Sequence, residues 1–333
     1  MEFGISFAAS FGGISQARLA EELGFSFVGF YDSPALEPDV WITVANVVQA
    51  TRRIQVGPEV LIPHLRHPMA QASAIATIEQ LAPGRLFVGV GTGFTGRMAM
   101  GKRPLTWAYV RQFLNQVGAL LAGEPVEIDG AVMQMLHPPG FGPPRPIRVP
   151  FLVAADGPKG IAVARELGGG LIYGGDPANV PEGFATLQLR ASGIILEDDE
   201  SSSSPRVLDA ARILFALQYH VAYERYPKAL VPIEALPYGA DWLAELERHP
   251  RDVRHLVVHD RHTVEVNAHD AAFIDRHPDA LAAFAAQAAV TPEQLRRRVD
   301  TMTKLGATRI TCSPFDGTDW ASVMRAYAKA VGL

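Results

Sequence analysis

The 333-residue sequence contains one cysteine, Cys312, so it cannot form an internal disulfide bond. It has no run of about 18 apolar residues, and its first ten residues lack the basic and apolar regions of a signal peptide. The formal net charge of −5 argues against nucleic acid or an anionic membrane as the main partner. We therefore expect a cytoplasmic protein that has neither kind of partner.

Hydrophobic residues make up 48% of the sequence and charged residues 20%, proportions typical of a globular protein with a large core. Short apolar runs alternate with segments of helical periodicity. The predicted strands are 3–8, 25–31, 54–56, 86–90, 151–154, 171–173, 211–220 and 309–312. The predicted helices are 14–23, 38–51, 68–81, 106–121, 160–167, 181–191 and 320–330.

Strands that are short, apolar on both faces and separated by helices are typical of a parallel sheet with right-handed crossovers. Eight such units in this length predict an α/β fold of the (β/α)8 TIM-barrel type, with residues 1–333 forming a single domain. Two segments interrupt the alternation and are interpreted as insertions. One, at 124–148, is rich in proline and glycine, and the other, at 227–290, is mostly helical.

A glycine motif follows the fourth predicted strand, where Gly91, Gly93 and Gly96 have the G-x-G-x-x-G spacing of a dinucleotide-binding turn. That motif requires a helix opened by the third glycine and an acidic residue about 20 positions later. Here the next predicted helix starts about ten residues late, and no strand with a terminal acid follows. We expect Gly91, Thr92 and Gly93 to form a wall of an active-site mouth instead; a plain turn is the alternative.

Two further strand ends carry polar or glycine-rich residues. Asp32 follows the second strand, where its carboxylate could accept a hydrogen bond from a ligand or cap a turn. The sixth strand ends at Gly174 and Gly175. Because catalysis in this fold takes place at the carboxyl ends of the strands, these positions are candidates for one site.

The fifth strand leads into a glycine-rich turn that contains a lysine and opens a helix. A lysine at a helix N-terminus suits an anion such as phosphate, although an ordinary capped helix start is the alternative. The residues of this turn are Gly157, Pro158, Lys159 and Gly160.

Three stretches carry a family resemblance: RHPMAQASAIATIEQLAPGRLFVGVGTG, ADGPKGIAVARELGGGLIYGG and VTPEQLRRRVDTMTKLGATRITCSPFDG. In them the chain resembles the bacterial luciferase-like superfamily, and most closely its branch of F420-dependent methylenetetrahydromethanopterin reductases. The resemblance spans most of the chain apart from 124–148 and 227–290. It implies a barrel that binds a flavin or the deazaflavin F420 at its C-terminal mouth.

The resemblance also assigns roles to individual positions. It implies a non-prolyl cis peptide against the cofactor ring, at Glu59-Val60 by position. It places Asp32, Thr92 and Gly93 along the ring or its ribityl chain. Residues 157–160 and 174–175 match loops on the phosphate side.

The sequence departs from the superfamily's F420-dependent sugar-phosphate dehydrogenases at two positions. Those enzymes carry an acid directly after the GTG, where Phe94 stands here, and a histidine after the strand-two aspartate, where Ser33 stands. We therefore do not expect a sugar-phosphate substrate. Glu59 is also unusual, because it is a charged residue at the position of the bulge.

The function implied is hydride transfer between F420 and a small organic substrate. One alternative is an FMN-dependent monooxygenase that uses O2 and receives reduced cofactor from a separate reductase, and another is a barrel that only binds. The resemblance further implies a homodimer. His64 and Arg66, just beyond the bulge, are candidates for proton transfer or substrate anchoring, the alternative being a polar loop that fixes the helix beginning at Pro68.

The histidines are concentrated in one segment: six of the ten lie between His249 and His277. His255, His259 and His262 have a spacing that would align them on one helix face, as in some zinc sites. The strand-like composition of 256–258 and 263–266 argues against that helix. We expect surface or interface histidines and no metal.

Overall fold

The computed structural model describes residues 1–224, 231–313 and 319–333. Its strands, in chain order, are β1 (Glu2–Phe7), β2 (Phe27–Phe30), β3 (Gln55–Pro58), β4 (Val88–Val90), β5 (Val126–Ile128), β6 (Ala131–Met133), β7 (Phe151–Ala154), β8 (Gly170–Tyr173), β9 (Leu187–Arg190), β10 (Ile194–Ile195), β11 (Ala289–Val290) and β12 (Arg309–Cys312).

Eight of these strands form one parallel sheet in the order β3-β2-β1-β12-β9-β8-β7-β4. The two end strands meet through parallel bridges that join Val56 to Leu86 and Leu61 to Val90. The sheet therefore closes, and the (β/α)8 barrel predicted from the sequence is confirmed.

The described residues also form helices in both halves of the chain. They are α1 (Gly13–Glu22), α2 (Val40–Ala50), α3 (Pro68–Leu81), α4 (Phe94–Met98), α5 (Trp107–Ala122), α6 (Pro158–Glu166), α7 (Pro205–Glu224), α8 (Gly239–Leu246), α9 (Arg254–His259), α10 (Ala268–Arg276), α11 (Pro278–Ala288), α12 (Pro292–Lys304) and α13 (Trp320–Val331). The insertion at 124–148 contains β5 and β6, which pair as an antiparallel hairpin.

Two element predictions were wrong. The predicted helix at 181–191 is the strand β9, whose first three residues are almost fully buried. The predicted strand at 211–220 lies inside α7, which buries Val207, Ala211 and Phe215 along one face. In both cases the short apolar run was compatible with the period of a helix and with that of a strand. The tertiary environment selected the structure that was not predicted.

The described residues form two compact units, and the single domain over residues 1–333 stays a prediction. The barrel unit comprises Met1–Phe94, Pro104–Arg190 and Asp300–Cys312, and it contains all eight strands of the main sheet. The second unit, called the helical unit here, comprises the described residues of Thr95–Arg103, Ala191–Val299 and Ser313–Leu333. Within that unit, the described residues of the excursion predicted at 227–290 belong to the longer segment Ala191–Val299.

The barrel interior is packed by aromatic rings near the amino ends of its strands. The rings of Phe27 and Phe87 meet edge to face, with centroids 5.8 Å apart, and the Arg309 guanidinium lies 3.8 Å from the Phe27 ring centre. Gly57 allows this packing because a side chain there would collide with the carbonyl oxygen of Phe87.

The strand pair β1–β12 contributes small polar groups to the interior. The hydroxyls of Ser6 and Thr311 are 3.0 Å apart, and both residues are buried. Cys312, also buried, has its Sγ 3.6 Å from the carbonyl oxygen of Gly4. Among the described residues, no helix is long and apolar enough to cross a membrane.

Candidate functional site

Asp32, at the carboxyl end of β2, is bound by Arg66 and by the backbone. Arg66 Nη1 donates to both carboxylate oxygens, at 3.0 and 2.9 Å, and the amide of Ile62 donates to Oδ2 at 3.2 Å. Arg66 Nη2 donates to Asp39 at 2.7 Å, and Asp39 in turn caps α2. A capping role was considered for Asp32, but in the structure Asp39 is the residue that caps a helix. The network of Asp32, Arg66 and Asp39 joins the loops after β2 and β3.

The two carboxylates of this network lie in different environments. Burial raises the pKa of Asp32 and outweighs the opposing charge of Arg66. Burial also acts to raise the pKa of Asp39, but hydrogen bonding and charge from Arg66 prevail and lower it. Since the guanidinium bridges both carboxylates, Arg66 is held as a structural anchor.

The bulge after β3 lies next to the end of β4. The peptide bond between Glu59 and Val60 is cis, as the resemblance implied. A Cβ at Gly91 would lie 2.9 Å from Val60 Cγ2, and one at Gly89 would lie 3.1 Å from Val60 Cγ1. The glycines of β4 and its loop therefore give the Val60 side chain the space it occupies.

Glu59 points away from Val60, into the barrel interior. Its Oε1 accepts a hydrogen bond from Gln188 Nε2 at 2.7 Å, and Oε2 has no hydrogen-bond partner among the described residues. A Cβ at Gly29 would meet the Glu59 carboxyl group, so the absence of a side chain there makes room for the acid. That Glu59 contacts a cofactor ring stays a prediction.

The loop after β4 is tightly folded. Gly93 has φ of 77°, a conformation that favours glycine, and the carbonyl oxygen of Thr92 accepts from the Leu105 amide at 2.8 Å. The short helix α4 starts at Phe94, directly after the glycines, although the sequence predicts the next helix about ten residues after the motif. The longer helix α5 does begin near its predicted position.

Asp156 joins the two glycine-rich loops for which the resemblance implied a place on the phosphate side. The amide of Gly174 donates to Asp156 Oδ1 at 2.9 Å, which connects the end of β8 to the end of β7. Helix α6 begins at Pro158, with Gly157 as an N-cap that offers no side chain. Asp156 was not among the predicted site residues, although it directly precedes Gly157 in the sequence.

The remaining residues of these loops differ in exposure and packing. Lys159 is exposed in the first turn of α6, and that it binds an anion there stays a prediction. Gly160 packs closely, because a Cβ there would overlap the Trp107 ring. Gly175 lies against the ring of Tyr173.

The segment after the bulge contains His64 and His67. His64 lies in a short 3-10 helix, Pro63–Leu65, and is half-buried. His67 caps α3, and its Nδ1 accepts from the Met69 amide at 3.1 Å. The roles in proton transfer or substrate anchoring considered for His64 and Arg66 stay predictions.

Glu37 is a site residue that the sequence predictions missed. It follows β2 and is 9% exposed, and its Oε2 has no hydrogen-bond partner among the described residues. Burial, reinforced by the charge of Asp32, raises the pKa of Glu37 to about 8 in spite of backbone hydrogen bonds from Ala9 and Ser33. The only sequence signal was an acid between a strand and the proline that precedes α2.

The histidine-rich segment lies in the helical unit and forms a buried hydrogen-bonded cluster. His220 Nε2 contacts Asp270 Oδ2 at 2.8 Å, and its Nδ1 contacts His262 Nδ1 at 3.0 Å. Trp242 donates to the other oxygen of Asp270 at 2.9 Å. The expectation of surface histidines was therefore wrong for His259, His262 and His269, because the packing of the helical unit encloses them.

The other histidines considered as a possible zinc face do not lie together. His259 contacts Glu224, and its ring centre is 4.8 Å from that of His262, whereas His255 approaches Gly101. The predicted strand-like stretch at 256–258 is helical. In the part of the chain that the structure describes, no group of three His, Cys, Asp or Glu residues could hold a metal ion.

We predict that acid destabilises the chain through His262. Burial, together with the charges of His220 and His259, lowers the pKa of His262 to about 2. A histidine whose pKa is lower in the folded than in the unfolded state stabilises the fold when the pH is above the unfolded pKa, near 6.5. This stabilisation is lost as the pH falls below that value. Between pH 7.5 and 4.5 the loss of unfolding free energy should be about 2–3 kcal/mol, measured by urea denaturation.

The matched test of that prediction is His262→Asn. Asparagine places an amide nitrogen near the position of Nδ1 and can donate to His220, but it does not titrate. The acid loss of stability should therefore shrink in this variant and persist in His249→Asn, which alters an exposed histidine. An unchanged acid loss in His262→Asn would contradict the assignment.

The closed barrel and the residues at its strand ends define the protein as a (β/α)8 barrel with a candidate ligand site at the C-terminal mouth. A model of the luciferase-like monooxygenase family matches residues 13–309. The chain therefore belongs to that family, which confirms the resemblance in its sequence.

Individual relatives match less completely. The F420-dependent glucose-6-phosphate dehydrogenase of Beutenbergia cavernae is 35% identical over 175 residues, 46% of this chain and 49% of the relative. The 5,10-methylenetetrahydromethanopterin reductase of Methanolobus tindarius is 27% identical over 264 residues, 76% of each. The chain spans about half the length of the first curated relatives it matches.

The fold has a match along almost the whole chain. The solved structure of the coenzyme F420 dependent tetrahydromethanopterin reductase from Methanopyrus kandleri superposes with a TM-score of 0.68 at 18% identity. The superposition covers 99% of this chain and 98% of that one. At this level of identity the likeness shows the fold alone.

Proposed function

We propose that the protein is an oxidoreductase that transfers hydride between coenzyme F420 and a small organic substrate. The observation that carries the proposal is the packing of the bulge at Val60 over the glycines of β4, within a chain of the luciferase-like family. A flat ring needs such a close approach to backbone. The preference for F420 rests on relatives that are named as F420-dependent.

The residues of the barrel mouth fit such a cofactor. Val60, Thr92 and Gly93 would lie along the ring, with Asp32 as a polar neighbour fixed by Arg66. The phosphate side would be held by the start of α6, with its Lys159 cation, and by the loop at Gly174 and Gly175 that Asp156 secures. Oε2 of Glu59, which has no hydrogen-bond partner in the described part of the chain, adds a buried polar atom beneath the bulge.

F420, when bound, supplies a hydride or accepts one at a ring carbon. The chain's own residues orient the two reactants and transfer protons to or from the substrate. We propose that His64 exchanges a proton with the substrate. Arg66, whose nitrogens bind Asp32 and Asp39, is proposed to keep Asp32 ionised and in place.

A second candidate function is monooxygenation with reduced FMN and O2. It is favoured by the match of residues 13–309 to a family described as monooxygenases. In that case a separate reductase would supply the reduced cofactor. We also propose a cytoplasmic homodimer for either function, which light scattering of the purified protein would test.

The deciding experiment is a pair of fluorescence titrations of the purified protein, one with F420 and one with FMN. We expect F420 to bind at least tenfold more tightly and Lys159→Gln to weaken binding about tenfold, because charge-assisted contacts to phosphate are lost. Lys304→Gln, which alters an exposed lysine on α12, should bind like the parent.

The opposite preference, with O2 uptake in the presence of reduced FMN, would favour the monooxygenase. Binding of neither cofactor by a folded protein would contradict both enzymatic proposals and leave a barrel that binds other ligands.

A further inference from the structure

Glu59 is a buried acid for which the proposed function has no evident use. It stands at the first position of the bulge, one residue before the proposed ring contact at Val60. It is 6% exposed, which is unusual for a carboxyl group with one oxygen unpaired among the described residues.

The groups that face Glu59 come from four strands. Gly29 on β2 makes room for it, and Gln188 on β9 donates to it. The charged or titratable groups are Arg190 on β9, and Arg309 and Cys312 on β12; on β1, Ser6 offers a hydroxyl. Burial raises the pKa of Glu59. The positive charges of Arg190 and Arg309 act to lower this pKa, but the effect of burial is larger.

Glu59 and Gln188 can form a hydrogen bond with each other whether the Glu59 carboxyl group is ionised or neutral. When Glu59 is ionised, it accepts a hydrogen bond from the Gln188 amide nitrogen. When it is neutral, it can donate to the Gln188 amide oxygen after the amide turns by half a rotation. That amide oxygen is itself buried without a hydrogen-bond partner among the described residues. The pair can therefore take up or release one proton without moving the backbone.

We propose that Glu59 is a positioning residue which supports the cofactor platform as a neutral acid and weakens binding of the reduced cofactor when it ionises. This inference rests on the proposed function. The reduced ring of a flavin or deazaflavin carries negative charge at neutral pH. A carboxylate in the low-dielectric interior directly under the bulge would repel that charge, whereas a neutral carboxyl would not.

The test compares the parent protein with Glu59→Gln, which keeps the shape and the hydrogen bond to Gln188 but cannot ionise. Dissociation constants of F420 and FMN, each oxidised and chemically reduced under anaerobic conditions, are measured between pH 6 and 9. Relative to Glu59→Gln, the parent should bind the reduced cofactor about tenfold or more weakly at pH 9 than at pH 6. Glu22→Gln, an exposed acid, serves as the control.

A second measurement needs no cofactor. Urea denaturation of the free proteins should show Glu59→Gln gaining stability over the parent as pH rises, because only the parent must ionise a buried acid. Glu59→Leu, which replaces the carboxyl group by an apolar side chain that cannot ionise, should show the same trend.

The outcomes separate the inference from the function on which it rests. Tight cofactor binding with parallel pH profiles for the parent and Glu59→Gln would overturn the inference alone. Equal changes of affinity at every pH would likewise overturn it, since they would mean a purely structural role. Absence of binding by both folded proteins would contradict the proposed function and, with it, the inference.

Discussion

Replacing Arg66 by methionine is expected to lower the free energy of unfolding by about 3–5 kcal/mol. The Asp32 side chain is only 1% exposed, and Arg66 supplies two of its three hydrogen bonds. Without the guanidinium, a buried carboxylate would be left uncompensated, which is the costly way to break a buried ion pair. Urea denaturation at pH 7 would measure the loss.

The double variant Arg66→Met with Asp32→Asn should recover most of that stability. Asparagine keeps the shape of Asp32 and can still accept from the Ile62 amide, but it carries no charge. The control is Arg111→Met, which breaks a half-exposed ion pair with Glu166 and should cost less than about 1 kcal/mol. A loss in Arg66→Met similar to that of the control, or no recovery in the double variant, would show that the network is not a buried anchor.

Glu37→Gln is expected to stabilise the chain in alkali and to change little in acid. Folding raises the pKa of Glu37 from 4.5 to about 8. An acid whose pKa is higher in the folded than in the unfolded state stabilises the fold as its neutral form. This stabilisation is fully present below pH 4.5 and is lost as the pH passes 8. At pH 9 the parent therefore carries a penalty on the order of 3 kcal/mol that glutamine avoids, because glutamine resembles the neutral acid.

Denaturation midpoints at pH 5 and pH 9 would check this prediction. The difference between Glu37→Gln and the parent should be small at pH 5 and should favour the variant at pH 9. Glu22→Gln, which alters an exposed acid, should show no such trend. A variant less stable than the parent at pH 9 would indicate that the ionised form of Glu37 is the one the fold requires.

The fold was largely predictable because a barrel repeats one local pattern. Strands such as β7 and β12 are short apolar runs between recognisable helices, and the predictions for both were confirmed with their bounds unchanged. β9 and α7 were mispredicted because leucine- and alanine-rich runs fit both periods. Whether such a run becomes a strand or a helix is decided by the residues that pack around it, and the sequence of the segment alone does not show which residues those are.

The sequence could name candidate positions for the site, but it could not indicate which of their side chains pair with one another. Glycines at strand ends are visible in a sequence, so Gly91, Gly93 and Gly174 could be named. The bond between Arg66 and Asp32 spans 34 positions, and nothing local indicates it. Glu37 required knowledge of burial, since the same acid on a surface would be unremarkable.

The single cysteine gives the barrel a built-in chemical reporter. Cys312 lies on the strand that closes against β1, where it is buried beside Gly4, and burial raises the pKa of its thiol. Alkylating reagents attack the exposed thiolate, so the folded chain should resist them. Labelling can then occur only in molecules where the barrel has parted around β12. The rate of alkylation would therefore measure how often the barrel opens under native conditions, without any cysteine being introduced.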